Sequence, residues 1–334
     1  MEFFIKEEFN TKWVYVKNDA NLSICFCSFG ASVYSLDFYN EPVILKFASK
    51  EDFLYSKGFH GKTLGRVAGR LLSPILIDNI SYNLKLEKGF QYALHGGSDT
   101  SLSYKNFEVD VKTVSNKIKV IFSYVDKDLE NGFPGKCKIK ITYEVGLKND
   151  EIKLIQEAIP NRKTLINLSN HMYFIFNNDL NLNKYYLKMN ASKYAVVDET
   201  ILIKDVAEVP EYLNFTNGEN LKIKLEQVEE ESFLKTIDNT FIFDETSNGE
   251  GKVILRNNKT QFTLTTSYPA MNIYVDNTLN DLVFENSPIK TLRKAIALEP
   301  QLLVLNQENI TFDKNKKYYF YIKYAFKKLE VKDE

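Results

Sequence analysis

The sequence is poor in cysteine and contains no long apolar run. Its 334 residues include three cysteines, Cys25, Cys27 and Cys137, and neither a CxxC pair nor a Cys/His spacing typical of a metal site occurs. The amino terminus lacks the uninterrupted apolar core of a signal peptide. No segment is long enough and apolar enough to cross a bilayer. We therefore expect a protein of the reducing cytoplasm without membrane partners.

An excess of charge of either sign is also missing. Lysine and arginine together number 43 against 44 acidic residues, for a net charge of −1, so no basic field is available to hold nucleic acid or an anionic membrane. Arginine is scarce, because nearly all the positive charge is lysine. A planar guanidinium suits directed hydrogen bonding better than lysine does, which draws attention to the closely spaced Arg66 and Arg70. The five arginines are Arg66, Arg70, Arg162, Arg256 and Arg293.

Period-two alternation of apolar and polar residues is abundant. Residues 137–145, 118–124 and 318–326 each place apolar side chains on one face of a strand. Helical periodicity is scarce, and the best candidate is the acidic stretch 226–235. No Pro/Gly/Ser-rich linker interrupts the chain. These features predict an all-β protein, a large antiparallel twisted β-sandwich, with a single domain over residues 1–334.

Two glycine-containing segments carry candidate ligand-binding groups. In GRVAGR, residues 65–70, the spacing of four places Arg66 and Arg70 on one side of a strand or a helix; surface ion pairs are the alternative. In YALHGG, residues 92–97, His95 precedes two glycines, where the backbone can approach a ligand closely; a turn with a solvated histidine is the alternative. The nearby GKT at 61–63 lacks the first glycine and the strand–loop–helix context of a phosphate loop, so we exclude nucleotide binding.

A polar strand face is predicted in LINLSNHMYF, residues 165–174. In an extended strand Asn167, Ser169, His171 and Tyr173 share one face. Solvated faces elsewhere in the chain are rich in lysine, whereas this one has none. We interpret it as a surface that lines a ligand site, the alternative being an ordinary solvent-facing surface.

An isolated carboxylate follows an apolar run in AIALEPQ, residues 295–301. Read as a strand, Glu299 and Gln301 share a face with the small Ala295 and Ala297. A carboxylate in apolar surroundings is costly unless it is hydrogen-bonded or functional. Desolvation raises its pKa and makes it a better proton acceptor near neutrality. The alternative is a strand end with Glu299 in a salt bridge.

In this order and spacing the segments resemble the aldose 1-epimerase (galactose mutarotase) family. The resemblance runs from about residue 30 to beyond residue 301. This chain departs from the family motifs at five positions. Gly69 replaces asparagine, Ser169 replaces threonine, Asn239 replaces histidine, Asn272 replaces glutamine and Pro300 replaces threonine. The matching elements are Gly-Arg-x-x-Asn-Arg at 65–70, Leu-His-Gly-Gly at 94–97, Gly-Phe-Pro-Gly at 132–135, Asn-Leu-Thr-Asn-His-x-Tyr-Phe at 167–174, Asp-His-x-Phe at 238–241, Gln-x-Tyr at 272–274 and Leu-Glu-Thr-Gln at 298–301.

The resemblance implies a β-supersandwich with a sugar-binding cleft lined by these segments. It implies Glu299 as general base and a protonated His171 as general acid. It also implies that sugar hydroxyls are bound by Arg70, His95 and Asp238, and we expect neutral groups such as Asn167, Asn272 and Tyr173 to discriminate between sugars. The expected substrate is a small-molecule monosaccharide.

The expected reaction interconverts the α and β anomers of a free hexose. Glu299 takes the proton of the anomeric hydroxyl, His171 donates to the ring oxygen, and the ring opens and recloses. Two proton transfers suffice, so we expect no metal, nucleotide or redox cofactor.

Three alternative functions remain. A hexose-6-phosphate 1-epimerase would call for more arginine around the cleft. A non-catalytic carbohydrate-binding β-sandwich would not need both Glu299 and His171. A glycosidase would need two carboxylates flanking the bond, which would leave His171 without a role.

Overall fold

A computed structural model describes residues 2–176, 182–275, 284–285 and 295–330. Strands dominate these residues, which confirms the expected all-β class. In chain order the strands are β1 Glu2–Glu8, β2 Thr11–Lys17, β3 Leu22–Cys27, β4 Ser32–Phe38, β5 Glu41–Pro42, β6 Thr63–Leu64, β7 Arg70–Leu72, β8 Ile75–Ile77, β9 Ile80–Tyr82, β10 Tyr92–Leu94, β11 Glu108–Val114, β12 Lys117–Asp126, β13 Cys137–Gly146, β14 Glu151–Pro160, β15 Thr164–Leu165, β16 Ser169–Asn170, β17 Tyr173–Phe174, β18 Tyr186–Met189, β19 Lys193–Val197, β20 Ile203–Glu208, β21 Glu219–Asn220, β22 Asp238–Ile242, β23 Gly251–Arg256, β24 Thr260–Thr266, β25 Ala270–Val275, β26 Ile296–Gln301, β27 Thr311–Phe312 and β28 Tyr318–Lys328.

Helices are few in the described part of the chain. The α-helices are α1 Lys50–Tyr55 and α2 Leu221–Glu231, and short 3₁₀ turns lie at Ser98–Thr100, Leu102–Tyr104, Glu130–Gly132, Leu182–Lys184, Glu211–Leu213 and Glu308–Ile310. Helix α2 begins and ends a few residues before the predicted 226–235. None of the helices in these residues is long and apolar enough to span a membrane.

Three antiparallel sheets contain most of the described strands, and the remaining strands pair in two-stranded sheets. A five-stranded sheet has the order β1-β2-β3-β4-β5, and a nine-stranded sheet has the order β11-β12-β13-β14-β28-β24-β23-β18-β21. The third, six-stranded sheet has the order β17-β26-β25-β22-β19-β20. The predicted alternation in 137–145 is realised in β13, where Cys137, Ile139 and Ile141 are buried between exposed lysines.

The six-stranded sheet has one apolar and one polar face. Phe241, Ile273 and Leu298 point into the large hydrophobic core shared with the nine-stranded sheet. Because successive side chains alternate between faces, the residues beside them in β22, β25 and β26 point the other way. In the register of these strands Thr240 lies opposite Asn272, and Asn272 lies opposite Glu299. The core packing of this sheet therefore fixes a row of polar groups on its opposite face.

Candidate active site

The polar face of the six-stranded sheet forms the floor of a cleft of about 290 Å³. This volume lies at the small end of ligand pockets, which run to about 1,000 Å³. The sheet contributes Asp238 and Thr240 from β22, Asn272 from β25, and Glu299 and Gln301 from β26. The prediction that Glu299 and Gln301 share a strand face is confirmed.

His171 reaches this floor from the short connection between β16 and β17. Its main-chain N–H donates to the carbonyl of Lys62 over 3.0 Å, and its carbonyl accepts from the N–H of Gly61 over 2.8 Å. Its ring stacks on the ring of Tyr173, with 4.8 Å between centroids. These contacts hold the imidazole so that Nε2 lies 3.5 Å from Oε1 of Glu299.

His95 lies immediately after β10 and lines the same cleft, with its ring centroid 5.6 Å from that of His171. Its Nδ1 accepts a hydrogen bond of 3.1 Å from the N–H of Gly69, so in the neutral ring the hydrogen is on Nε2. Burial, followed by the nearby His171 and Arg70, holds the pKa of His95 well below its usual value. His95 therefore presents a neutral N–H donor.

Gly96 explains why glycine follows this histidine. A Cβ at Gly96 would lie 2.3 Å from the main-chain nitrogen of Arg66, and its φ of +85° is in the left-handed region. Only glycine lets the two segments meet backbone to backbone, and this contact sets the position of His95.

Arg70 and Asp238 form a partly buried ion pair at the edge of the floor. Nη2 of Arg70 donates to Oδ2 of Asp238 over 3.2 Å, and Nδ2 of Asn272 donates to the other carboxylate oxygen over 3.1 Å. Thr240 in turn donates to Oδ1 of Asn272 over 3.1 Å. Asn272 thus orients the carboxylate of Asp238.

Burial perturbs both members of the His171–Glu299 pair. Desolvation, reinforced by the charge of Asp238, raises the pKa of Glu299 to about 8, although Asn272 and Arg70 lower it. Desolvation lowers the pKa of His171 to about 3. Near neutrality the pair therefore holds one proton, and that proton is on Glu299. The sequence predicts a protonated His171, and burial disfavours that form.

Among the described residues, one cluster has the donors for a metal ion. The ligand atoms of His95, His171 and Glu299 all lie within 4.8 Å of one another. Two imidazoles and a carboxylate are donors that zinc accepts. Sequence spacing did not reveal this cluster, because its three members come from three separate segments.

A model of the aldose 1-epimerase family matches residues 13–325. The chain belongs to the aldose 1-epimerase family. It is 29% identical to the galactose mutarotase of Homo sapiens over 192 residues, which cover 54% of this chain and 53% of the human protein. The chain thus spans about half the length of the mammalian relatives it matches. Its identity to the aldose 1-epimerase of Haemophilus influenzae is 23% over 304 residues, 87% of this chain and 86% of that protein.

Solved structures share the epimerase-family fold along nearly the whole chain. A galactose 1-epimerase from Lactobacillus acidophilus superposes with a TM-score of 0.88 at 24% identity, covering 98% of this chain and 99% of the other. An aldose epimerase homologue from C. elegans gives a TM-score of 0.85 at 24% identity, covering 96% and 100%. At these identities the likeness shows the fold, and it confirms the predicted galactose mutarotase-like β-sandwich.

The predicted residues of this epimerase-like cleft mostly come together. Arg70, His95, His171, Asp238 and Glu299 line it, as do Tyr173 and Asn272. Sequence reasoning gave no role to Phe59, His60 or Tyr274, which also line it. His60 stacks on Tyr173 at 4.4 Å. The sequence gives only a weak indication for His60, namely that the chain contains just three histidines.

Two sequence predictions are wrong. Arg66 does not share a face with Arg70, because residues 65–69 form an irregular segment in which strand periodicity does not apply. The predicted polar face of 165–174 is broken for a similar reason, since the chain runs here through the two-residue strands β15, β16 and β17 and the connections between them. His171 and Tyr173 line the cleft as predicted, whereas Asn167 and Ser169 do not. Asn167 is fully buried, donates to the carbonyls of Ala68 and Leu302, and accepts from the N–H of Leu302.

Proposed function

We propose that this chain is an aldose 1-epimerase that interconverts the anomers of a free hexose by acid–base ring opening and reclosure. The observation that carries the proposal is the buried His171–Glu299 pair, with 3.5 Å between its nearest atoms, on the floor of a sugar-sized cleft. Family membership and the names of the curated relatives support it.

In ring opening the Glu299 carboxylate takes the proton of the anomeric hydroxyl, while protonated His171 donates to the ring oxygen. The open-chain aldehyde then faces a protonated Glu299 and a neutral His171. Ring closure uses this arrangement, because His171 takes the proton of the attacking hydroxyl and Glu299 returns one to the aldehyde oxygen. Rotation of the aldehyde before closure exchanges the anomers.

The proton arrangement favoured by burial is therefore the one that closes the ring. Opening requires one proton to move from Glu299 to His171, and the 3.5 Å between them permits this with a small approach. Asn272 and Arg70, which lower the pKa of Glu299, favour the transfer. Each positioned acid or base contributes about 10²–10⁴-fold.

The other polar groups act on the sugar or on the pair. The N–H at Nε2 of His95 is a donor for a sugar oxygen that gains charge during opening. Arg70 and Asp238 offer a donor and an acceptor for hydroxyls, and Tyr173 supports the imidazole of His171. The cytoplasmic location expected from the sequence stays a prediction.

Polarimetry tests this proposal. Freshly dissolved α-glucose and α-galactose are followed with and without the protein, and with His171→Ala at the same concentration as control. Acceleration by the wild type alone supports the proposal. An unchanged rate for both sugars would overturn it.

A hexose 6-phosphate is a second candidate substrate, favoured by one observation. Lys57 is exposed and lines the cleft, and lysine binds phosphate as a point charge. Against it, Asp238 and Glu299 lie on the cleft floor and Arg70 is paired with Asp238. We favour the neutral hexose.

A further inference from the structure

We propose that Gln301 contacts the substrate, with its side-chain oxygen accepting a hydrogen bond from one non-anomeric hydroxyl of the sugar in the space left open by Gly69. This inference rests on the proposed function. It concerns which sugars the cleft accepts rather than the proton transfers.

The orientation of the Gln301 amide follows from a directed chain of hydrogen bonds. The carboxylate of Asp238 can only accept, so the amide nitrogen of Asn272 faces it and the amide oxygen of Asn272 faces Thr240. The Thr240 hydroxyl must then donate its single hydrogen to Asn272. It is left as an acceptor, and Nε2 of Gln301 donates to it over 3.5 Å.

This chain leaves Oε1 of Gln301 on the side of Gly69. The side chain of Gln301 is 97% buried, at 3% relative exposure, and Oε1 has no hydrogen-bond partner within the described residues. A buried carbonyl oxygen without a partner has lost its hydrogen bonds to water and gained none in return, so a partner is expected when the site is in use. Gln301 lines the cleft, and its side-chain oxygen lacks only a donor.

Gly69 provides the space for that donor. A Cβ built on Gly69 meets a single heavy atom within 4 Å, which is Oε1 of Gln301 itself at 3.7 Å. The matching family motif has asparagine here, whose side chain would extend into the same space. In this chain a sugar hydroxyl can enter instead. The Nε of Arg70, which follows Gly69 in sequence, is also buried without a partner in the described residues. A donor and an acceptor in this part of the cleft therefore both lack a protein partner.

The partner must be a hydroxyl on carbon 2, 3, 4 or 6 of a hexose. The ring oxygen has no hydrogen to donate, and the anomeric hydroxyl is engaged by Glu299. Four monodeoxy analogues of one hexose therefore cover every possibility.

The experiment measures KM and kcat by polarimetry for the better accepted of glucose and galactose and for its 2-, 3-, 4- and 6-deoxy analogues. Wild type and Gln301→Met are compared, since methionine keeps the length of the side chain and removes the acceptor. In the wild type, the analogue without the partner hydroxyl should show a KM raised by roughly 3- to 10-fold. Gln301→Met should raise the KM of the parent sugar by about the same factor. In this variant the analogue without the partner hydroxyl should have the same KM as the parent sugar, whereas the other three analogues should keep their wild-type ratio to the parent.

If the role of Gln301 were only structural, Gln301→Met would raise the KM of the parent sugar and of all four analogues by one common factor. That outcome would overturn the inference. Gly69→Ala is the second variant, because its Cβ fills the space and should reproduce the selective loss. Gly89→Ala is its matched control, since Gly89 has a φ of +85° close to the +83° of Gly69, has nothing within 4 Å of its built Cβ, and lies outside the cleft lining.

Failure of the proposed function is distinguishable from failure of this inference. If the wild type leaves the mutarotation rate of the parent sugar unchanged, the proposed function fails. The same panel is then titrated by calorimetry, and selective coupling in Kd between Gln301 and one hydroxyl would still support the contact. Absence of selective coupling in both measurements would overturn it.

Discussion

Two arginines, four residues apart, have opposite surroundings. The guanidinium of Arg66 is fully buried, pairs with Asp126 at 2.7 Å, and donates to the carbonyls of Pro134 and Gly135 at 3.1 and 2.9 Å. The side chain of Arg70 is 24% exposed and pairs with Asp238 at 3.2 Å, and its Nε has no partner within the described chain.

We infer from this difference that the ion pair of Arg66 is structural, whereas that of Arg70 serves the proposed binding of a sugar. Arg66 ties the segment at 65–70 to the loop at 126–135, and its donors are occupied by the protein. Arg70 and Gln301 both line the cleft, and each keeps a buried polar atom without a partner in the described residues. Buried polar groups are nearly always hydrogen-bonded, so the unpaired Nε distinguishes Arg70 from Arg66 more sharply than the presence of an ion pair does, since both arginines have one.

The largest expected effect comes from the carboxylate at the centre of the cleft. Glu299→Gln should lower kcat by about 10²–10⁴-fold, because the amide cannot take the anomeric proton. Polarimetry measures kcat, and circular dichroism checks the fold. The same change in the other region, Asp126→Asn, should leave kcat of the folded protein near the wild-type value. Equal losses of kcat in Glu299→Gln and Asp126→Asn would contradict the separation of the cleft from the structural Arg66–Asp126 pair.

Measuring both stability and activity in variants of the two arginines tests the comparison directly. Arg66→Leu should lower the free energy of unfolding by about 3–5 kcal/mol, because it leaves Asp126 buried without its partner. Chemical denaturation measures this. Arg70→Leu should cost less stability, since Asp238 keeps its bond to Asn272, and should instead lower kcat/KM by roughly 10- to 100-fold. A large stability loss in Arg70→Leu with kcat/KM preserved would reverse the assignment.

The pH profile sharpens the comparison of the two carboxyl groups. The active pair carries one proton, and burial raises the pKa of Glu299 to about 8. Because the pair loses its proton above that value, kcat/KM should fall about tenfold per pH unit above pH 8. Burial also raises the pKa of Asp126 to about 6, yet the profile should show no step there. Stopped-flow polarimetry between pH 5 and 10 measures this, and a rate that keeps rising above pH 8 would contradict the assigned pair.

Substrate charge gives a smaller effect. We expect kcat/KM for glucose to exceed that for glucose 6-phosphate by about tenfold or more, because Arg70 is engaged by Asp238 and the cleft floor is acidic. Lys57→Met, which removes the exposed cation at the cleft, should abolish the residual activity on the phosphate and spare glucose. Preference for the phosphate would make the second candidate substrate the better assignment.

Metal removal should have the smallest effect. Treatment with a chelator is expected to leave kcat within about twofold of the untreated value, because proton transfers alone account for the reaction. Added zinc should inhibit by binding His95, His171 and Glu299. Loss of activity on chelation, with restoration by a divalent ion, would show that this cluster works through a metal.

The sequence predicts the fold because alternation within long strands is a local property. The pattern in 137–145 survives in β13, as does the shared face of Glu299 and Gln301 in β26. Prediction fails for Arg66 and Asn167, where the chain turns irregularly within a few residues and the period of two no longer applies. The orientation of the Gln301 amide was also out of reach, since it depends on Thr240, Asn272 and Asp238 from two other strands.

The division of the six-stranded sheet into an apolar and a polar face limits how this cleft can evolve. Glu299 and Leu298 are neighbours in sequence but point to opposite faces of β26. Insertion or deletion of a single residue within β22, β25 or β26 would exchange the two sets of side chains, burying carboxylates in the core and turning leucine toward the cleft. Point substitutions can therefore change the cleft lining gradually, whereas changes in strand length would disrupt the cleft and the core in one step.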